Sequence, residues 1–255
     1  MYCGLILVSN CSFSTTSNTP KGPNHIQENA QNVAVFDTEF HQTMPSTSYM
    51  YAVPYSWYTE YNVRRYGMHG TSHKFIANKV AEFEKNDNLK IINCHLGNGA
   101  SLCAIDSGKC IQTSMGLTPL AGIMMGTRSG DIDPSILEYI SKQTGKNLEE
   151  ITSILNKESG MLGLSQISSD FRDVEDEYLA GNEMAIMAFD VYITRIVETI
   201  GSYFLRLGGV DVISFTGGIG ENSDLVRGKV MEGISALGIK VNEEINGSRK
   251  LAKNN

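Results

Sequence analysis

At 255 residues, with 41% hydrophobic and 19% charged side chains, the chain has the make-up of a globular protein able to bury a sizeable core. A formal net charge of −7 argues against nucleic acid or an anionic membrane surface as its main partner, though not against a local anion site built from backbone amides. The five cysteines, Cys3, Cys11, Cys94, Cys103 and Cys110, are odd in number and form no C-x-x-C pair, which indicates neither zinc nor a disulfide framework.

The opening MYCGLILVSN lacks the basic region and apolar length of a signal peptide, and no apolar run approaches the ~20 residues that span a bilayer. A cytoplasmic protein with reduced thiols is expected. Residues 9–32 are rich in Ser, Thr, Asn and Pro without periodicity, so residues 1–32 read as an irregular leader. NVAVFD then has the pattern of a short buried strand closing on Asp37. TSHKFIANKVAEFEK predicts a helix with Ser72 as N-cap and Ile76, Val80 and Phe83 on its core face. KIINCHL, ASLCAI and KCIQTS predict three strands, the last two joined by a hairpin at DSGK. Asp133-Pro134 opens the helix SILEYISKQ, and LEEITSILNK is a further short helix. From Glu183 to Leu207, Ile186, Phe189, Ile193, Ile196, Ile200 and Phe204 recur every three or four positions, which predicts a long core helix stopped by Gly208-Gly209. VDVISF is a buried strand, TGGIGEN a glycine turn, and SDLVRGKVMEGISALG a helix ending at Gly238. Strands followed by alternating helix and strand indicate an α/β fold.

Two strand ends therefore open into polar glycine turns, HLGNG and TGGIGEN. Such turns let backbone N–H groups approach a phosphate, although either could equally be a tight connection without a ligand. The patterns G-x-x-x-x-G-K-[ST], G-x-G-x-x-G, H-R-D and G-x-S-x-G are absent, so phosphate chemistry here would use another architecture. In MGTRSGD, Arg128 could clamp a phosphoryl or carboxylate group, or could form a structural ion pair with Asp131 or Asp133. GMHGTSH carries His69 and His73, and FDTEFHQTMP places the Asp37 carboxylate at a strand end, where many aspartates only cap turns.

Taken in order, VAVFDTEFHQTMP, YGMHGTSH, CHLGNGAS, MGTRSGDIDP, SGMLGLSQISSDFRD and FTGGIGENS resemble the signature segments of acetate kinases, over about residues 32–245. The resemblance implies the ribonuclease-H-like, actin-like ATPase fold shared by sugar kinases, Hsp70 and actin, and mainly the second of its two duplicated domains. It implies reversible transfer of the ATP γ-phosphoryl to acetate, giving acetyl phosphate and ADP with Mg²⁺. By motif match His69 and Arg128 would stabilise the transferring phosphoryl group, and Asp37 would act through Mg²⁺ or acetate positioning. His95, Leu96, Gly97, Asn98 and Gly99 would cradle the nucleotide phosphates. Asp170, Phe171 and Arg172 would hold the adenosine end, and Gly218, Ile219, Gly220, Glu221 and Asn222 would form the second nucleotide loop. A homodimer and a small-molecule acyl substrate are implied in the same way.

Acetate kinases are longer, so the chain reads as truncated at both ends. On this reading residues 33–62 are a remnant of the first domain carrying Asp37, and residues 63–255 are the nucleotide-binding second domain. ILVSNCSFST faintly echoes the family's opening strand and phosphate turn, with Asn10 a weak candidate for the metal side; the acidic Mg²⁺ ligand lies in the missing C-terminal part. Two alternatives accompany the reading: a catalytically inactive nucleotide-binding remnant, and a propionate or butyrate kinase relative.

Overall fold

The computed structural model describes residues 4–7, 35–239 and 246–247, and a five-stranded sheet lies at its centre. Strands β1 (Gly4–Leu7), β2 (Lys90–Leu96), β3 (Ala100–Asp106), β4 (Lys109–Thr113) and β5 (Val212–Thr216) are arranged in the order β1-β5-β2-β3-β4. β2, β3 and β4 form an antiparallel meander, while β5 runs parallel to both β2 and β1. The three central strands and the DSGK hairpin thus lie where the sequence puts them. Two expectations change. Within the supposed irregular leader, Gly4–Leu7 form a strand, while Asn10 lies outside the described residues. Val35 and Phe36, expected in a buried strand, are each 69% exposed and pair with no strand among the described residues, so nothing there covers their apolar faces.

The helices are α1 (Ser46–Tyr49), α2 (Tyr55–Tyr61), α3 (Gly70–Glu84), α4 (Ser135–Thr144), α5 (Leu148–Lys157), α6 (Gly160–Ser165), α7 (Phe171–Leu179), α8 (Glu183–Leu207), α9 (Gly217–Asn222) and α10 (Asp224–Gly233). Among the described residues no helix is long and apolar enough to cross a membrane. The period of two along β2 and β3 sends alternate side chains to two separate cores. Ile92, Cys94, Leu96, Leu102 and Ala104 pack with α8, whereas Ile91, Cys103 and Ile105 pack with Ile76, Ala77 and Val80 of α3. Phe83, expected on the same stripe, is 55% exposed in the last turn of α3, beyond the packed stretch.

α8 spans the residues that the periodicity predicts. The Asn182 side chain accepts from Met184 N and Ala185 N at its start, and the left-handed Gly208 ends it. Ala185, Ala188, Phe189, Tyr192, Ile196 and Ile200 are buried along its sheet-facing stripe. The Asp133 carboxylate accepts from Ser135 N at 2.9 Å and so opens α4 as expected. TGGIGEN, by contrast, is not an open turn: after β5 it closes at once into the short α9, and the helix beyond it breaks at Ile234 into α10 and a 3-10 turn at Ser235–Leu237.

Because Phe189 is fully buried and lies 5.4 Å from Phe171, Phe189→Ala should cost about 3–5 kcal/mol in urea unfolding, whereas Asn182→Ala, a cap loss, should cost about 1 kcal/mol. Equal losses would remove α8 from the centre of the core.

Candidate active site

The first turn of α3 gathers several of the expected residues. His69 precedes the helix in the left-handed region, φ 59°, an uncommon place for a residue with a side chain. Its N–H donates to Asp37 Oδ2 at 2.6 Å, and Gly70 N donates to the Asp37 carbonyl at 2.8 Å. Gly70 is required there, because a Cβ would run into that carbonyl oxygen. Asp37 therefore caps α3, the function the sequence assigned to Ser72, and in doing so fixes the backbone of His69. Ser72 instead lies inside the helix, with Oγ 2.9 Å from His95 Nδ1.

Behind His69 runs a chain of buried polar groups whose directions can be deduced from their donors and acceptors. Ser214 Oγ donates to Asn93 Oδ1 at 2.9 Å, which turns the Asn93 amide nitrogen toward His73 Nδ1 at 2.8 Å. An amide nitrogen only donates, so His73 Nδ1 accepts and its proton sits on Nε2. That proton is given to Ser101 Oγ at 2.8 Å, and Ser101 in turn gives its own to His69 Nδ1 at 2.9 Å. His69 is left carrying its proton on Nε2. Asn93, His95 and Ser101 share the α3 face of the sheet by the same alternation that buries Ile91, with Asn93 paired to Ser214 and His95 to Ser101 across the strands. Burial, the largest cause, holds His73 well below the ordinary histidine range and lowers His69 as well, with Asp37 opposing the shift at His69 and the Arg128 charge adding to it. His95, 4.3 Å from His69 between ring centres, is pushed down to about 4 by burial and by His69, again against Asp37.

Arg128 approaches from the other side. A Cβ placed on Gly99 would lie 3.3 Å from Arg128 Nη1 and 3.6 Å from His69 Nε2, so the missing side chain leaves a space that both groups face. Among the described residues Arg128 has no carboxylate partner: Asp131 Oδ1 accepts from Gly122 N and Asp133 Oδ1 from Ser135 N, while Arg128 Nη1 reaches the Pro119 carbonyl at 3.3 Å. Its loop is held by α6, an element the sequence reading did not draw. Ser159 N donates to Thr127 O, Met161 N to Met125 O and Leu162 N to Gly126 O.

The remaining candidates divide. Gly97, Asn98, Asp170, Phe171, Arg172, Gly218, Ile219 and Asn222 line one cleft of about 840 Å³, together with Glu175, Asp176 and Ser223, which the sequence did not single out. Leu96 is buried in β2 with its side chain in the α8 core, so only its backbone faces the turn. Phe171 also points inward, 5.2 Å from Tyr192. Asp170 caps α7 through Arg172 N and binds the Arg172 guanidinium, which holds its carboxyl down at about 2. Gly220 and Glu221 stand behind the cleft lining, where their carbonyls each accept from Arg227 Nη1 at 3.0 Å. Arg227 is buried, and its Nε and Nη2 are anchored on Asn246. Nothing in SDLVRGKV announces that clamp, because its partners are backbone carbonyls just before the segment and Asn246 beyond it.

Among family models, that of the acetokinase family matches residues 23–255. An acetate kinase of Staphylococcus haemolyticus is 54% identical over 225 residues, covering 86% of this chain and 56% of that protein. The crystal structure of an acetate kinase from Porphyromonas gingivalis superposes with a TM-score of 0.81 at 45% identity, over 84% of this chain and 54% of that one. A propionate kinase from Francisella tularensis gives 0.81 at 44% identity, over 83% and 55%. The fold is thus that of the actin-like ATPases. The chain spans about half the length of the curated relatives it matches.

Three histidines kept neutral by the fold make acid the weak side of this site. Unfolded, they titrate near 6.5, so the stability they lend is complete above that pH and is lost as pH falls below it, for His95 toward about 4. Urea midpoints should decline across this window, and His95→Gln and His73→Gln should each flatten the decline. An unchanged slope in both variants would mean that these rings are not held neutral.

Proposed function

The chain belongs to the acetokinase family, and from that premise we propose that it transfers the γ-phosphoryl group of ATP to acetate, reversibly, giving acetyl phosphate and ADP. The observation that carries this reading is the convergence of His69 Nε2 and Arg128 Nη1 on the space beside Gly99. A phosphoryl group in transit spreads negative charge over its equatorial oxygens, and catalysis rests on donors already aimed at it. His69 supplies a neutral N–H whose direction is set by Ser101, and Arg128 supplies a charge that no carboxylate among the described residues pairs with. The turn at Gly97–Gly99 and the α9 segment place backbone beside the cleft where the nucleotide phosphates would lie, with Asn98 at its wall. Residues 63–255 would form the nucleotide-binding domain, and residues 33–62 would bring in Asp37.

Asp37 also fits a role toward Mg²⁺. It is exposed, and only Oδ2 is held by a short bond, Oδ1 being 3.4 Å from Thr71 N; one carboxylate with the substrate's phosphates is a common magnesium environment. When bound, the ion would neutralise phosphate charge. The equal superposition on a propionate kinase supports a second reading of the acyl group, with the same site acting on propionate.

The test is hydroxamate trapping of the acyl phosphate formed from ATP, Mg²⁺ and acetate or propionate, with ATP binding measured on the same sample. Arg128→Ala and His69→Ala should each lower kcat by about 10²–10³ while leaving ATP affinity little changed. Loss of affinity alone would remove the proposed transition-state role. ATP binding by the unaltered chain without turnover on either acid would leave a nucleotide-binding protein and overturn the transfer reading.

A further inference from the structure

Beneath the His69 chain, on the same face of the sheet, lies a second cluster that phosphoryl transfer does not use. His41, in the 3-10 turn Glu39–Thr43, stands over Cys103 of β3 and Cys110 of β4, and all three are fully buried. His41 Nδ1 is 3.2 Å from Cys110 Sγ, and Cys110 Sγ is 3.5 Å from Cys103 Sγ. Among the described residues this is the one group of three His, Cys, Asp or Glu side chains whose ligand atoms all lie within 4.8 Å of one another.

The His41 ring is oriented as a ligand would be. Its Nε2 lies 2.9 Å from the Met68 carbonyl, which can only accept, so the proton sits on Nε2 and the Nδ1 lone pair faces the two sulfurs. A carbonyl behind the distal ring nitrogen is the usual outer support of a metal-bound histidine. From zinc–sulfur and zinc–nitrogen distances of about 2.3 and 2.0–2.1 Å, donors sharing one tetrahedral ion stand roughly 3.5–3.8 Å apart, a few tenths of an ångström beyond the two spacings just given, while His41 Nδ1 and Cys103 Sγ lie within 4.8 Å. A β-bulge between Ala104 and Ile105 brings this about by setting Cys110 opposite Ile105 and diagonal to Cys103. The linear spacing of the cysteines conceals the arrangement, since they are separated by a hairpin and the histidine arrives from a distant turn.

We propose that His41, Cys103 and Cys110 supply three ligands to a site for a thiophilic divalent cation, with water in the fourth position and Zn²⁺ as the probe of choice. Binding exchanges the two thiol protons, released to solvent, for the ion. Two thiolates and one neutral imidazole then leave a cluster without net charge, which burial tolerates far better than a lone cation. The ion would join the turn that follows Asp37 to the β3–β4 hairpin, directly under Met68 and His69.

The test uses the full chain carrying Cys3→Ser and Cys11→Ser, stripped with chelator under reductant. Zinc should rebind at one ion per chain and raise the melting temperature, and Co²⁺ in its place should show thiolate-to-cobalt charge-transfer absorption. Cys103→Ser, Cys110→Ser and His41→Gln should each weaken zinc by more than the roughly 10–100-fold expected for loss of an outer-shell partner. Zinc bound below one per chain, zinc affinity unchanged in these variants, or a Cys103–Cys110 disulfide in the chain purified without reductant would each overturn the proposal. Should a variant fail to fold, the cobalt spectrum of the parent decides, and absence of the charge-transfer band counts against the site.

Discussion

One directed chain of hydrogen bonds, from Ser214 through Asn93, His73 and Ser101 to His69, sets what the space beside Gly99 can do. Once Ser214 has turned the Asn93 amide, His73 can donate only through Nε2, and His69 Nδ1 is then the one acceptor among the described residues bonded to the Ser101 hydroxyl; every group behind His69 is buried. The low local dielectric strengthens each bond and makes any unpaired member costly, so the chain holds together or fails as a unit. Its output is a single proton on His69 Nε2, facing the space beside Gly99. The left-handed backbone of His69, held by Asp37, is the strain that this aim requires.

Electrostatics follows from the same burial. Three imidazoles crowd the end of β2, and were they charged they would repel one another and Arg128. The fold keeps them neutral by removing water, and the formal positive charge facing the space beside Gly99 is supplied by Arg128. An oxyanion arriving there meets one fixed charge and one neutral donor. Under the proposed transfer, discrimination between neighbouring acyl groups would come from shape elsewhere, since neither group reads an extra methylene.

Much of the scaffold was legible because it is local. α8 declares itself by a stripe of Ile and Phe, and the hairpin by DSGK between alternating strands. His69, Arg128 and the glycine turn at 97–99 were legible as motif residues, and the structure brings them together. What stayed hidden depends on pairs distant in sequence. Asn93 in KIINCHL reads as a lone polar interruption, and the serine that fixes it is 121 positions away. Ser72 has the composition of a cap, yet Asp37 occupies that role from 32 positions upstream of His69, releasing the Ser72 hydroxyl to His95. NVAVFD has strand composition, yet Val35 and Phe36 find no ladder partner among the described residues. TGGIGEN looks like a loop because glycine is poor in isolated helices, and tertiary packing against β2 overrides that weak preference.

The alternation along β2 and β3 has one consequence beyond packing. His95 stands opposite Ser101 and Asn93 opposite Ser214, so the polar chain is itself a reading of strand register. If β3 slid by one residue, the Ser101 hydroxyl would turn to the far face, and Ala100 or Leu102 would take its place under His69. Such a molecule could still bury oil against oil, yet it would lose the tautomer that makes His69 a donor. The polar chain thus works as a checksum on assembly: a sheet zipped out of step would be folded in outline but chemically mute.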